Sequence, residues 1–340
     1  MTGGLAGPRA EKTVSLALQG GGAHGAFTWG VLDALLEDGR VAIEAITGAS
    51  AGAMNAVVMV DGWLEGGIDG ARSALETLWR RASVDASLSR TQRRLLSRIL
   101  GFWSNRGWTE VIAGGFSPYQ TNPLNINPLR NMVDALVDFD RVRACTDVEI
   151  FISATNVWSG KVEIFTRQEL TVDHLMASAC LPTVFQAVEI DGVPYWDGGY
   201  MGNPALFPLF YETAIEDILL VQINPRQRAQ TPRTAREIRD RLNEITFNSN
   251  LLRELRAVAF VQRLIDEGKL SPDEYKNVHL HRIDGSGVLD GYRASSKRRT
   301  DWDFFVQLRD AGRRTARSWL AAHYEAIGMR GTLDLQNALP

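Results

Sequence analysis

The chain has 340 residues and a formal net charge of -3, which leaves room for one large α/β domain or two smaller ones and excludes a broadly polybasic nucleic-acid binder. Hydrophobic residues make up 45% and charged residues 23%, so an ordinary packed globular core is expected. Two cysteines, Cys145 and Cys180, make no disulfide framework and suit a reducing, cytoplasmic setting, and no stretch of about 18 residues is apolar and uncharged enough to predict a membrane span.

Residues 1–12 are Gly-rich and polar, without the apolar stretch of a secretory leader, and read as a flexible tail. Residues 14–18 predict a first strand, followed by Gly20-Gly21-Gly22-Ala23-His24-Gly25 and a helix from 26 to about 38. Glycines at such a turn expose backbone N–H groups to an anion. The hexapeptide also fits Gly-x-Gly-x-x-Gly of a dinucleotide site, for which Glu44 would be the ribose-binding acid. Glu44 lies inside the next strand, however, and that strand ends in Gly48-Ala49-Ser50. From there the chain passes through Ala51 and Gly52 into a helix of small and apolar residues. A strand–turn–helix join with Gly-x-Ser-x-Gly is the pattern of a nucleophile elbow. Gly48 and Gly52 leave room for strand and helix to meet at a tight angle, which sets the Ser50 hydroxyl where the helix N-terminal N–H groups point.

Residues 62–70 read as a glycine-rich loop, and 71–82 as a helix with Leu75, Leu78 and Trp79 on one face. Residues 87–108 mix arginines with Leu95, Leu96, Ile99, Phe102 and Trp103. That pattern reads as a helix with a solvated basic face or, around Leu95 to Trp103, as a lid or interfacial segment that meets lipid. A strand is expected over 149–156, another over 161–166, and a helix over 171–179 that stops before Pro182. Two short strands flank Asp191-Gly192, a strong hairpin signal, and the second delivers Asp197-Gly198-Gly199 at its end. Residues 218–223 form one more buried strand. After Pro225 the composition shifts to helices: 231–268 carries an apolar stripe that includes Ile238, Leu242, Ile245, Leu255, Val258 and Phe260, with arginines opposite. Residues 278–283 alternate like an edge strand and point His279 and His281 the same way, and helices close the chain over 301–327. The expected organisation is a tail over 1–12, an α/β domain over 13–225 and a mainly helical extension over 226–340 packed on it.

A glycine-rich turn after the first strand, Gly-x-Ser-x-Gly after the second and Asp-Gly-Gly late in the sheet, in that order, resemble the patatin-like phospholipase family over about residues 14–224. The resemblance implies a three-layer α/β/α fold around a mostly parallel sheet. It also implies a serine–aspartate dyad without histidine that hydrolyses lipid acyl esters with no cofactor or metal. Carried over by motif, Ser50 is the nucleophile and Asp197 the general base. Gly20, Gly21, Gly22 and Gly25, with Ala51 at the helix start, form the oxyanion hole, and Gly48, Gly52, Gly198 and Gly199 support the motifs. The family's loop often has Arg or Lys where this chain has His24, which makes His24 a candidate modulator, charged only below the ordinary imidazole pKa of about 6.5. The expected partners are a lipid substrate and, transiently, a membrane surface, with no nucleic acid. Two alternatives stand beside this one. A Ser-His-Asp hydrolase would use His174, His279, His281 or His323, and a non-catalytic lipid- or nucleotide-binding module would use the glycine loop.

Overall fold

A computed structural model of the protein describes residues 4–83, 117–228, 230–292, 296–297 and 299–335. The amphipathic stretch 87–108 lies outside the described residues. The strands are β1 (Lys12–Leu18), β2 (Val41–Gly48), β3 (Glu149–Asn156), β4 (Val162–Thr166), β5 (Val188–Ile190), β6 (Val193–Asp197), β7 (Asp217–Gln222) and β8 (His279–Asp284), and among the described residues they form one sheet. β8, β7, β1, β2 and β3 lie side by side and parallel, while β4, β5 and β6 add antiparallel pairs at the β3 end. Helices cover both faces, so the parallel strands are largely apolar, and β2 and β7 are buried along their whole length. Val14, Leu16 and Leu18 join Leu219 and Val221 under one helical layer, whereas Ala17, Ile218 and Leu220 face the other. This is a three-layer α/β/α architecture.

The first layer is built from α1 (Gly25–Asp38), α2 (Ala51–Ala82) and the Trp302–His323 helix. The last of these belongs to the core. A Cβ on Gly30 would lie 1.9 Å from the Arg309 carbonyl oxygen, and one on Gly312 would lie 2.1 Å from that of Phe27, so glycine on each helix lets the two backbones touch. The Ala235–Asp266 helix covers the opposite face through Leu251, Leu255 and Val258. The part of the chain beyond residue 225 therefore supplies an edge strand and helices to both layers.

The register around β3 decides where the loops meet. Residues 151 to 155 of β3 pair with β4 on one edge; on the other, Ile152 faces Gly48 of β2 and Ala154 faces Asp197 of β6. Residues 151 and 152 pair with both β2 and β4, and residues 154 and 155 with both β4 and β6, so β2 and β6 share one edge of β3 and point at each other. Their C-terminal ends meet there.

Three expectations are corrected. The loop expected over 62–70 is a tighter break: non-helical geometry is confined to Gly66 and Gly67, where two helical segments meet at a kink and the second folds back on the first. The reason is packing across that kink, where a Cβ on Gly70 would lie 2.2 Å from the Gly62 carbonyl oxygen. The tail is anchored, because Leu5 is buried and pairs with Ile43, whose edge is open since β3 begins pairing only at Ala45. In the long Ala235–Asp266 helix the stripe is buried only in its second half. Ile238, Leu242, Ile245 and Phe260 are exposed, and Glu244 and Asn248 point inwards. No described helix is long and apolar enough to cross a membrane.

Candidate active site

The β2 end and the start of α2 make the turn that the sequence predicts. Ser50 has φ 51°, a left-handed conformation that costs a non-glycine residue energy and is held by the surrounding structure. Gly52 is what allows the turn to pass beneath β1, since a Cβ there would lie 2.2 Å from the Leu18 carbonyl oxygen, and Gly48 packs closely on Ala53. The Ser50 N–H donates to Ser178 Oγ at 2.8 Å. Its hydroxyl makes no capping bond to α2, and the side chain lies near enough to the Asp197 carboxylate to oppose the rise in its pKa.

Asp197 reaches this position because β6 ends where β2 ends. Its N–H donates to the Cys180 carbonyl at 2.8 Å, and its own carbonyl accepts from Thr155 Oγ1 at 2.8 Å, so the backbone is fixed on both sides. Gly198 lies against the Ser153 carbonyl where no Cβ would fit. Gly199 donates its N–H to Asp197 Oδ1 at 2.7 Å. The carboxyl is 1% exposed. Burial pushes its pKa up to about 7, against the opposing effects of the Gly199 N–H, the Ser50 hydroxyl and Lys297. Burial and Asp197 push the neighbouring Cys180 up to about 12, so it stays a thiol.

The glycine loop lies beside Ser50. A Cβ on Gly20 would fall 2.7 Å from the Ala49 carbonyl oxygen and 2.8 Å from Ser50 Cβ, so only glycine fits. The Gly20 N–H donates to Asn203 Oδ1 at 2.6 Å and its carbonyl accepts from Asn224 Nδ2 at 2.7 Å. Gly22 takes φ 57°, and the Gly25 N–H closes the short turn by donating back to Ala23 and Gly22. Gly25 also packs on Ala51, where a Cβ would meet the alanine Cβ at 2.7 Å. The Gly20 N–H is thus committed to the Asn203 side chain and the Gly25 N–H to the loop itself, which corrects their assignment as oxyanion donors. Gly21, Gly22 and Ala51 remain for that role.

The structure also corrects the part expected of His24. It is fully buried, with Nε2 2.7 Å from Ser296 Oγ, and burial together with Lys297 and Arg228 lowers its pKa well below the usual value. It stays neutral and adds no charge to the loop. The other histidines are engaged elsewhere. His174 Nδ1 accepts from the Thr171 N–H, and His323 stacks near Trp319. His279 and His281 flank Asp217 at the opposite end of the sheet. Glu44 accepts the N–H groups of Ala214 and Ile215 in mid-strand, so it holds the loop before β7 and is not placed to bind a ribose. The described residues hold no cluster of three or more His, Cys, Asp or Glu suited to a metal.

A set of buried amides supports the loop from below. Gln19 Oε1 accepts the Ile223 and Asn224 N–H groups, and its Nε2 donates to the Asn203 carbonyl and to Asn248 Oδ1. Motif reading misses these residues because they come from four separate segments. The faint signals are an amide immediately before the glycines and two of the four Asn-Pro pairs, those at 203–204 and 224–225. An open cavity of about 400 Å³ adjoins Cys180 and is lined also by Tyr119, Arg130, Met176 and Phe185.

Residues 16–210 match the family model described as patatin-like phospholipase. Among solved structures the chain is similar to VipD from Legionella pneumophila, at 13% identity and a TM-score of 0.42, over 93% of this chain and 68% of that one. It is also similar to a chain of the complex of full-length SpcU with full-length ExoU from the type III secretion system of Pseudomonas aeruginosa, at 17% identity and a TM-score of 0.30. That likeness covers 74% of this chain and 57% of the other, so this chain spans less than two thirds of it. No curated protein sequence matches the chain.

Proposed function

The chain belongs to the patatin-like phospholipase family, a family of lipid hydrolases, and on that premise we propose that it cleaves carboxylic ester bonds of phospholipids or acylglycerols with a Ser50–Asp197 dyad through an acyl-enzyme. The observation that carries the reading is the proximity of Ser50, on a strained turn, to a buried carboxylate whose pKa burial raises to about 7 against the effect of the Ser50 side chain. A serine hydroxyl is a poor nucleophile until a base takes its proton, and an aspartate at its ordinary pKa of about 3.9 is a weak base. Burial brings Asp197 close to working pH, where proton transfer in both directions is favourable.

In the first half-reaction Asp197 accepts the Ser50 proton as Oγ attacks the ester carbonyl carbon. The oxyanion that forms lies towards the N–H groups of Gly21, Gly22 and Ala51, and each such donor is worth roughly 2.7–4 kcal/mol of barrier. Collapse breaks the ester C–O bond, and Asp197 returns the proton to the departing alcohol. Water then gives a proton to Asp197 and attacks the acyl carbon, and the acid is released as Ser50 regains its proton. The strain at Ser50 and the fixed backbone of Asp197 hold the two side chains ready, so little reorganisation accompanies the attack.

The test is hydrolysis of p-nitrophenyl butyrate and of phosphatidylglycerol micelles by the wild type, Ser50→Ala and Asp197→Asn, with circular dichroism to check folding. The wild type is expected to turn over both and each variant to lose about 10⁴-fold in kcat. Folded variants that keep wild-type rates would return the glycine loop to a binding role.

A further inference from the structure

The Gly21 N–H belongs to the same peptide group as the Gly20 carbonyl, and in a trans peptide the two point opposite ways. That carbonyl accepts from Asn224 Nδ2 at 2.7 Å. The second Nδ2 hydrogen of Asn224 goes to Gln19 Oε1 at 3.1 Å, and its Oδ1 accepts from Lys297 Nζ at 2.5 Å. These partners allow one orientation of the amide. Turned over, it would set its NH₂ against an ammonium and its oxygen against two acceptors. An ammonium, a side-chain amide and a peptide group thus lie head to tail. The row ends at the N–H that follows Gly20, and Gly20 packs on Ser50 with no room for a Cβ.

Lys297 is held in place from several elements. The Ala235–Asp266 helix brings Asp240, Glu244 and the Phe247 ring, whose centroid lies 5.9 Å from Nζ, and the end of β6 brings Asp197. Glu244 is bridged by Arg228 at 2.7 Å and Arg241 at 3.1 Å, and among the described residues the hydrogen bond of Lys297 goes to Asn224. Burial lowers its pKa to about 8, with Arg228 acting the same way and Glu244, Asp240 and Asp197 against it, so the ammonium is charged at pH 7. A hydrogen bond from a charged donor is roughly twice as strong as one between neutral groups, and consecutive bonds polarise one another. Electron density drawn towards Lys297 through Asn224 therefore leaves the Gly21 N–H a stronger donor. Both Asn224 and Lys297 lie outside the residues 16–210 that match the family model.

We propose that Lys297 is a positioning residue that acts through Asn224: it fixes the amide, orients the Gly20–Gly21 peptide and strengthens the Gly21 N–H as a donor to the oxyanion. The oxyanion part rests on the hydrolase reading above; the coupling of Lys297 to the Gly20–Gly21 peptide does not. The oxyanion charge exists only once Ser50 has attacked, so a stronger donor there raises kcat and leaves substrate binding unchanged.

Two readouts test this with the full chain: kcat and KM on p-nitrophenyl butyrate, and the amide proton shift of Gly21 by NMR in glycine-labelled protein. The wild type is compared with Lys297→Met, Lys297→Arg, Asn224→Ala and the double variant Lys297→Met with Asn224→Ala. Lys297→Met is expected to lower kcat about tenfold at unchanged KM and to move the Gly21 proton upfield, and Lys297→Arg to restore most of both. In the Asn224→Ala background Lys297→Met is expected to cost nothing further, because the connection is already cut. Losses that add, or a Gly21 signal that Lys297→Met leaves in place, overturn the proposal. Should Asn224→Ala not fold, the wild type decides: as pH rises through about 8 and Lys297 loses its charge, the Gly21 proton moves upfield, while in Lys297→Arg it stays. A wild-type signal as flat as that of Lys297→Arg overturns the proposal. If the wild type hydrolyses no ester, the hydrolase reading falls by itself. In that case a Gly21 signal that follows the charge at position 297 still carries the coupling, and one that ignores it overturns the coupling.

Discussion

The two ends of the sheet each bury an aspartate, and the two have opposite fates. Asp217 opens β7 at the N-terminal end of the parallel strands, and Asp197 closes β6 at the end where β2 delivers Ser50. Burial acts upwards on both. At Asp217 it is outweighed by the hydrogen bond from His281, by the Gly328 N–H and by the field of both histidines, so the pKa falls below the usual carboxylate value. At Asp197 a single N–H, a serine hydroxyl and a more distant lysine do not offset burial, and the pKa rises to about 7. A well-supplied buried carboxylate is a fastener. An under-supplied one keeps its proton up to about pH 7.

The contrast is most sharply broken at the nucleophile turn. Gly20→Ala places a methyl group against Ser50 Cβ and the Ala49 carbonyl, which displaces the loop from the serine. A loss of about 10²–10³ in kcat on p-nitrophenyl butyrate is expected, comparable to the removal of one oxyanion donor. At the other end Asp217→Ala leaves His281 and the Gly328 N–H without their acceptor. It is expected to cost about 1–3 kcal/mol in urea unfolding at pH 7 with kcat of the folded protein unchanged.

The signs of the linkage differ as well. The folded pKa of Asp217 lies below its unfolded value, so its stabilisation is present above about pH 4 and is lost as pH falls through the folded value. The folded pKa of Asp197 lies above its unfolded value, so the protein loses stability as pH rises from about 4 to about 7. Asp197→Asn, which cannot ionise, is therefore expected to melt at a higher temperature than the wild type at pH 8 while inactive. A lower melting temperature would show that the carboxylate is better supplied than its contacts indicate. The smallest effect concerns the rate profile. On the proposed dyad, activity on p-nitrophenyl butyrate is expected to rise with pH through about 7 as Asp197 loses its proton, and His24→Gln to leave that midpoint in place, because burial keeps His24 neutral.

Much of this was legible in the sequence where the signal is local. The strand before Ser50, the helix after it and the Asp191-Gly192 hairpin, whose two residues take φ 51° and 78°, are each fixed by a few neighbouring residues. The glycine stretch at 62–70 was legible as a break but not in its length, because glycines that serve close packing across a kink look the same in sequence as glycines that make a loop. The Ala235–Asp266 helix failed for a related reason. Its apolar stripe suggests a buried face throughout, yet its first half lies over the buried amides of the glycine loop, so Glu244 and Asn248 turn inwards and Leu242 and Ile245 stay outside.

By itself the sequence singled out the candidate residues: a serine on a glycine turn, an aspartate at a strand end and a loop rich in backbone donors. Those assignments follow from short-range sterics and hydrogen bonding. Only the tertiary structure decided that β2 and β6 share one edge of β3, which brings Ser50 and Asp197 together from distant segments. It also decided how deeply Asp197 is buried, which glycine N–H groups the asparagines consume, and that Lys297 returns to the loop. Such properties depend on which segments exclude water from one another, and no local pattern records that.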